Sequence, residues 1–141
     1  MLMHPGTLFA DAARRHGDRD AVGDGTTYHA LDALVSRAAG GLSSLGLGVG
    51  DRVGMLFHNV PELVTLWLAV ERAGLVRVAL HSHLGIDVHA DILRRTDAKA
   101  LVFDTRFARA VEQAVCARAE MGAFIGVGAA NSSSPRASSS L

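Results

Sequence analysis

Four residues stand where a metal ion could be held: His81, His83, Asp87 and His89. Alternate residues of a strand share a face, so a His-x-His pair at a strand end puts both rings on one side. Zinc wants three or four such ligands, with outer partners to orient them. No distant cysteine or aspartate motif completes the set, and the segment reads as a solvated loop. The run Gly46-Leu47-Gly48-Val49-Gly50 has the glycine density of a phosphate cradle. A dinucleotide fingerprint must follow a strand and open a helix, so that backbone amides converge on the pyrophosphate. Here a helix comes before and a strand after, and a turn is the better reading. Asn59 can cap a helix that follows a strand, a geometry able to bind anions. Glu62 in that first turn would repel a phosphate, which leaves capping as the role of Asn59. Cys116, between Val115 and Ala117, has no adjacent histidine or nucleophile elbow and reads as a small buried hydrophobe. Tyr28 and Trp67 are assigned to packing in the core in preference to ligand stacking. No catalytic, cofactor-binding or metal-ligating residue is assigned.

The elements that carry these residues follow from periodicity and punctuation. A helix is expected over 7–16, capped by Thr7, with Leu8, Phe9, Ala12 and Ala13 as its apolar stripe and Gly17 as its stop. Short strands at 21–23 and 26–28 around Asp24-Gly25 suggest a small hairpin. Leu31, Leu34, Val35, Ala38, Leu42 and Leu45 recur at helical spacing, and Gly46 falls where a left-handed cap belongs. Gly40 and Gly41 within that helix imply close packing on another backbone. Strands at 52–57, 75–80, 100–103 and 123–127 then alternate with helices that begin near Pro61, over 86–95 and over 105–119. The helix stretch 63–70 is apolar nearly all round, which predicts burial on more than one side. Alternation of this kind implies an α/β fold: a parallel sheet with helices on its faces.

Composition narrows the function classes. A chain of 141 residues has the size of one domain. With 49% hydrophobic but only 5% aromatic residues, its core must be built from Leu, Val and Ala. Fourteen basic residues cancel fourteen acidic ones, so no electrostatic footprint for nucleic acid is expected. The single cysteine fits a reducing, cytoplasmic setting. The run 63–70 is far short of the roughly 20 residues that span a bilayer, and the first twenty residues have no signal-peptide pattern. Residues 131–141, NSSSPRASSSL, cannot bury enough apolar area to offset their ordering entropy. The expected organisation is therefore one folded portion over 1–128 and a disordered, Ser-rich tail over 129–141.

Five segments in register carry a resemblance. Thr27-Tyr28-His29-Ala30-Leu31 is similar to the "TYxEL" segment of adenylate-forming enzymes, the group that includes acyl-CoA synthetases. Gly46 to Val53 resembles that family's "GvgpGDrV" turn, Asn59-Val60-Pro61-Glu62-Leu63 its "NspEl", and Leu68 to Gly74 its "lAvlkAG". Lys99-Ala100-Leu101-Val102-Phe103-Asp104 falls at the expected distance beyond. The resemblance implies an amino-terminal piece of an AMP-dependent synthetase/ligase domain. The intact relative would join a carboxylic acid to ATP as an acyl-adenylate and then pass the acyl group to coenzyme A. ATP, magnesium and coenzyme A are cofactors implied for that relative, and none is expected for this chain. The family's Ser/Thr/Gly-rich loop ending in Pro-Lys-Gly does not occur in this sequence. Its acidic ribose and magnesium motifs and its domain with the catalytic lysine are likewise missing. Ala79 replaces a usual Pro, and His81-Ser82-His83 a usual Asn-Pro-Arg. The expectation is a chain cut short of its own chemistry and inactive alone, with a non-catalytic interaction module as the alternative. A piece of a sheet should leave an edge and an apolar face open to self-association or a partner.

Overall fold

The structure, a computed structural model, describes residues 4–115 and 121–128. Cys116 and the whole of the expected tail, 129–141, lie outside these residues. The described residues divide into two compact units, one drawn from 4–50 and 59–76, the other from 51–58, 77–115 and 121–128.

The first unit is three helices: α1 (Pro5–His16), α2 (Tyr28–Ser44) and α3 (Pro61–Arg72). α1 starts earlier than Thr7. Pro5 sits at a first-turn position that needs no N–H, and His4 Nδ1 accepts from the Gly6 amide at 3.2 Å. Gly17 answers a close approach: a Cβ there would lie 2.1 Å from the His29 ring. The expected hairpin does not form, and one antiparallel bridge, Asp20 with Thr27, stands in its place. The Asp20 carboxylate accepts from the amides of Val22, Gly23 and Gly25, and Asp24 accepts from that of Thr26. These local bonds take up donors that a strand ladder would have used. They also hold the Asp20 carboxyl below its usual range, the Gly23 amide contributing most.

α2 is capped by Thr27, whose Oγ1 accepts from the Ala30 amide at 3.2 Å. Leu31, Val35, Ala39 and Leu42 are buried, whereas Leu34 and Leu45 are exposed. Gly40 and Gly41 face open space, so the close packing inferred from them is absent. Gly46 takes φ +81°, as the cap required. α3 corrects two expectations. Its cap is Val60, without a side-chain bond, because Pro61 opens the helix and forces the preceding residue to be extended. Asn59 therefore stands one position too early to cap. Burial is also one-sided: Ala69 and Val70 are buried, but Val64 and Trp67 are exposed. Glu62 and Arg72 do suit the two ends of the helix dipole, and Gly74 turns the chain with φ +72°.

The second unit holds a four-stranded sheet in the order β2-β1-β3-β4, formed by β1 (Arg52–Leu56), β2 (Val76–Leu80), β3 (Ala100–Asp104) and β4 (Ala123–Val127). β1 pairs with β3 and β3 with β4 in parallel, Leu56 opposite Phe103 and Phe103 opposite Gly126. α4 (Ile86–Arg95) lies where the periodicity placed it. The stretch 105–115 is not one regular helix. It runs as a 3-10 turn (Thr105–Phe107), an α turn (Ala108–Ala110) and a π turn (Val111–Val115). Leu56, Leu80, Leu101 and Phe103 of the strands meet Ala90 and Leu93 of α4 and Val111 and Val115 in one core. Gly54 is required there, since a Cβ would sit 2.4 Å from Leu93 Cδ2 and 3.1 Å from Leu101 Cδ1. Arg52 closes the end of α4, donating to the carbonyls of Thr96 and Asp97, both at 2.9 Å.

Candidate functional site

In an open parallel sheet, ligands bind outside the carboxyl ends of the strands, where the strand order reverses. The order β2-β1-β3-β4 puts that reversal between β1 and β3. Two residues beyond β1 stands His58, and Asp104 ends β3. Around them the structure assembles His58, Asp104, Arg106 and Phe107. Asp104 is buried, and its Oδ1 accepts from the Arg106 amide at 3.0 Å, capping the 3-10 turn. The Arg106 guanidinium grips the same carboxylate through Nε and Nη2. His58 Nδ1 lies 3.4 Å from Asp104 Oδ2, and its ring stacks on Phe107 at 4.5 Å between centroids. An ionised carboxylate only accepts, so the pair places a proton on Nδ1. Sequence reading missed this cluster because its members are 46 residues apart. Only the pairing of β1 with β3 brings them together.

The Arg106 side chain beside Asp104 holds its carboxyl down to about 2 from the usual 3.8, against the opposing effect of burial; the Arg106 amide and His58 add to the lowering. A depressed carboxyl stabilises the fold in its ionised form. That contribution is complete above about pH 5 and is lost as pH falls through 2. Arg106 is half-exposed, so the shift translates into about 1–2 kcal/mol. Asp104→Asn is expected to lower urea stability by that amount at pH 7, with the gap to wild type shrinking to about a third by pH 2.5. A gap independent of pH would show that the carboxylate's charge is irrelevant.

The structure separates the residues singled out for metal binding. His81 and His83 are exposed, with ring centroids 5.3 Å apart, and Asp87 is exposed on α4. His89 points the other way: it is 1% exposed, and its Nε2 lies 2.9 Å from the His81 carbonyl. A carbonyl only accepts, so Nε2 carries the proton and holds the loop onto α4. Among the described residues no group of three or more His, Cys, Asp or Glu is placed to hold a metal. Tyr28 packs as expected, half-buried and stacked on Phe9 at 6.0 Å. Trp67 does not: it is exposed, its Nε1–H donating to Glu71 at 2.9 Å.

Three turns among the described residues bear on phosphate binding. The first turn of α3 offers Pro61, which has no N–H, and Glu62, which is anionic. The 3-10 turn after β3 is already capped by the Asp104 carboxylate. The Gly46–Gly50 run connects a helix to a strand, with φ +81° and +87° at its two ends, and opens no helix.

The family profile of the AMP-binding enzymes matches residues 9–135. The chain belongs to the AMP-binding enzyme family. Among curated relatives, the medium/long-chain-fatty-acid–CoA ligase FadD6 of Mycobacterium tuberculosis is 34% identical over 116 residues, 80% of this chain and 19% of the relative. Triostin synthetase I of Streptomyces triostinicus is 45% identical over 82 residues, 55% of this chain and 16% of the relative. The chain thus spans less than a fifth of the length of these relatives. The crystal structure of the N-terminal domain of FACL13 from M. tuberculosis shares the fold, with a TM-score of 0.80 at 24% identity, over 89% of this chain and 34% of that domain.

Proposed function

We propose that this chain forms part of an acyl-activating enzyme, which joins a carboxylic acid to ATP as an acyl-adenylate and then passes the acyl group to coenzyme A. The family match across 9–135 carries this reading, and the CoA-ligase relative supports it. Within it the chain supplies scaffold. Phosphoryl chemistry needs donors and a cation aimed at the reacting phosphate, and the loops described above present proline and carboxylates instead. ATP, magnesium and coenzyme A are then held by other parts of the intact enzyme, and the chain alone is inactive. The setting is cytoplasmic in this reading; no helix among the described residues is long and apolar enough to cross a membrane. ATP–pyrophosphate exchange by the purified chain, over a panel of fatty and aryl acids, is expected to stay at background. Exchange above background would overturn the scaffold role.

A second reading, a non-catalytic interaction module on the same scaffold, is favoured by the edges of the sheet. β2 and β4 each have one neighbour among the described residues, and Val76 on β2 is exposed. Such edges accept another strand. Size-exclusion chromatography separates the readings, because a stable monomer counts against the module.

A further inference from the structure

α3 carries two apolar stripes, and the first unit covers one of them. Ala69 and Val70 are fully buried. Val60, Val64 and Trp67 recur at i, i+4 and i+7 on another side, where Val64 is 36% and Trp67 44% exposed. Val60, Pro61, Leu63, Val64 and Val22, with Asn59 as the one polar member, line an open cleft of about 270 Å³ there. The Trp67 Nε1–H is taken by Glu71 one turn on, so the ring offers an apolar surface whose polar tip is already satisfied. A helix that is apolar on two sides belongs between two layers, and a contiguous exposed apolar stripe marks a contact surface.

We infer that this stripe is the seam against which the rest of an adenylate-forming domain packs. The inference rests on the reading proposed above and adds the residues that make the joint. The length of the matched domain names the occupant: this chain corresponds to about a third of the FACL13 N-terminal domain. The remaining two thirds of such a domain must pack on a piece of this kind, and α3 offers the contiguous apolar surface.

The test places a photo-crosslinking benzoylphenylalanine at Val64, or at Leu34 on α2 as control. The full chain is co-expressed with the remaining two thirds of the FACL13 N-terminal domain. A crosslink from position 64 and none from position 34 is expected. Val64→Asp should reduce co-purification at least tenfold while the circular dichroism of the chain is unchanged, because the side chain is exposed. Trp67→Glu should do the same. If the two polypeptides associate but Val64→Asp has no effect and position 34 crosslinks, the seam lies elsewhere: the inference fails and the function reading stands. If position 64 crosslinks only to a second copy of this chain, the occupant is wrong. If the two folded polypeptides do not associate, the reading and the inference fall together.

Discussion

Leu101→Ala is expected to remove about 3–4 kcal/mol of folding stability, read as a shift in the urea midpoint. Leu101 is completely buried in β3, which lies between β1 and β4. Its neighbour across the β1 pair is Gly54, which has no side chain to move into the space. Leu56, Leu93, Phe103 and Val111 are also buried in the same core and hold one another in place. A site that cannot collapse keeps its cavity, which puts the cost well inside the range for such truncations and above its lower end. A marginally stable domain has only about 5–15 kcal/mol in total, so the variant should unfold at much lower urea. Gly54→Ala gives a second reading of the same contact. Alone it drives a Cβ into Leu93 and Leu101 and should destabilise by about 1–3 kcal/mol. Combined with Leu101→Ala, one of the two clashes disappears and the new methyl partly fills the cavity. The double variant should therefore be more stable than the sum of the singles predicts. Strict additivity would show that Gly54 and Leu101 do not share the space.

The regular elements of the second unit were legible in the sequence because each is marked twice, by its period and by its ends. The segment 86–95 has helical spacing, an acidic first turn at Asp87 and Arg94 and Arg95 at its close, and α4 occupies it residue for residue. The segment 123–127 is a short apolar run between turn residues, and β4 fills it. What failed was local competition. Asp20 and Asp24 are ordinary turn residues in a sequence, yet their carboxylates capture the amides that a hairpin would have paired. Asn59 is a good cap by type, but Pro61 moved the start of α3 and left Val60 in the capping place. Periodicity cannot choose between these outcomes, because the deciding bonds are individually worth about 1 kcal/mol.

The candidate site was illegible for a different reason. His58 and Asp104 belong to segments that each read plainly as the end of a strand. Their pairing depends on β1 lying beside β3, a fact of strand order that no local pattern encodes. The all-round apolar character of 63–70 was read correctly as a pattern and wrongly as burial. A second apolar stripe reports that a helix has two neighbours in its complete setting, and it does not say that both lie within this chain. Trp67 is the residue that separates those statements, exposed here with its indole nitrogen already bonded.

Arg72 ties the three helices of the first unit together, and its replacement by alanine is expected to cost about 2 kcal/mol, the figure for charge-assisted hydrogen bonds. From the last turn of α3 it donates Nη2 to Asp32 Oδ1 at 2.6 Å and Nη1 to Ser36 Oγ at 2.7 Å, both on α2. Nη1 also reaches the Asp32 carbonyl at 3.3 Å. Its guanidinium lies 6.0 Å from the centre of the Phe9 ring on α1, at the outer limit of a useful cation–π contact. The α1 backbone is close as well, since a Cβ on Gly6 would stand 3.0 Å from the Arg72 Cα. The Arg72 side chain is 20% and the Asp32 side chain 35% exposed, so the charge left on Asp32 can rehydrate and the loss stays below that of a fully buried pair. Arg72→Lys keeps a positive charge but gives up the planar fork that serves Asp32 and Ser36 together. It should fall between wild type and Arg72→Ala, by about 1 kcal/mol. A double-mutant cycle with Asp32→Asn isolates the pair: a coupling near zero would mean that Arg72 acts through packing on Phe9 and the α1 backbone, whereas a coupling of about 1 kcal/mol or more places the joint in the ion pair itself.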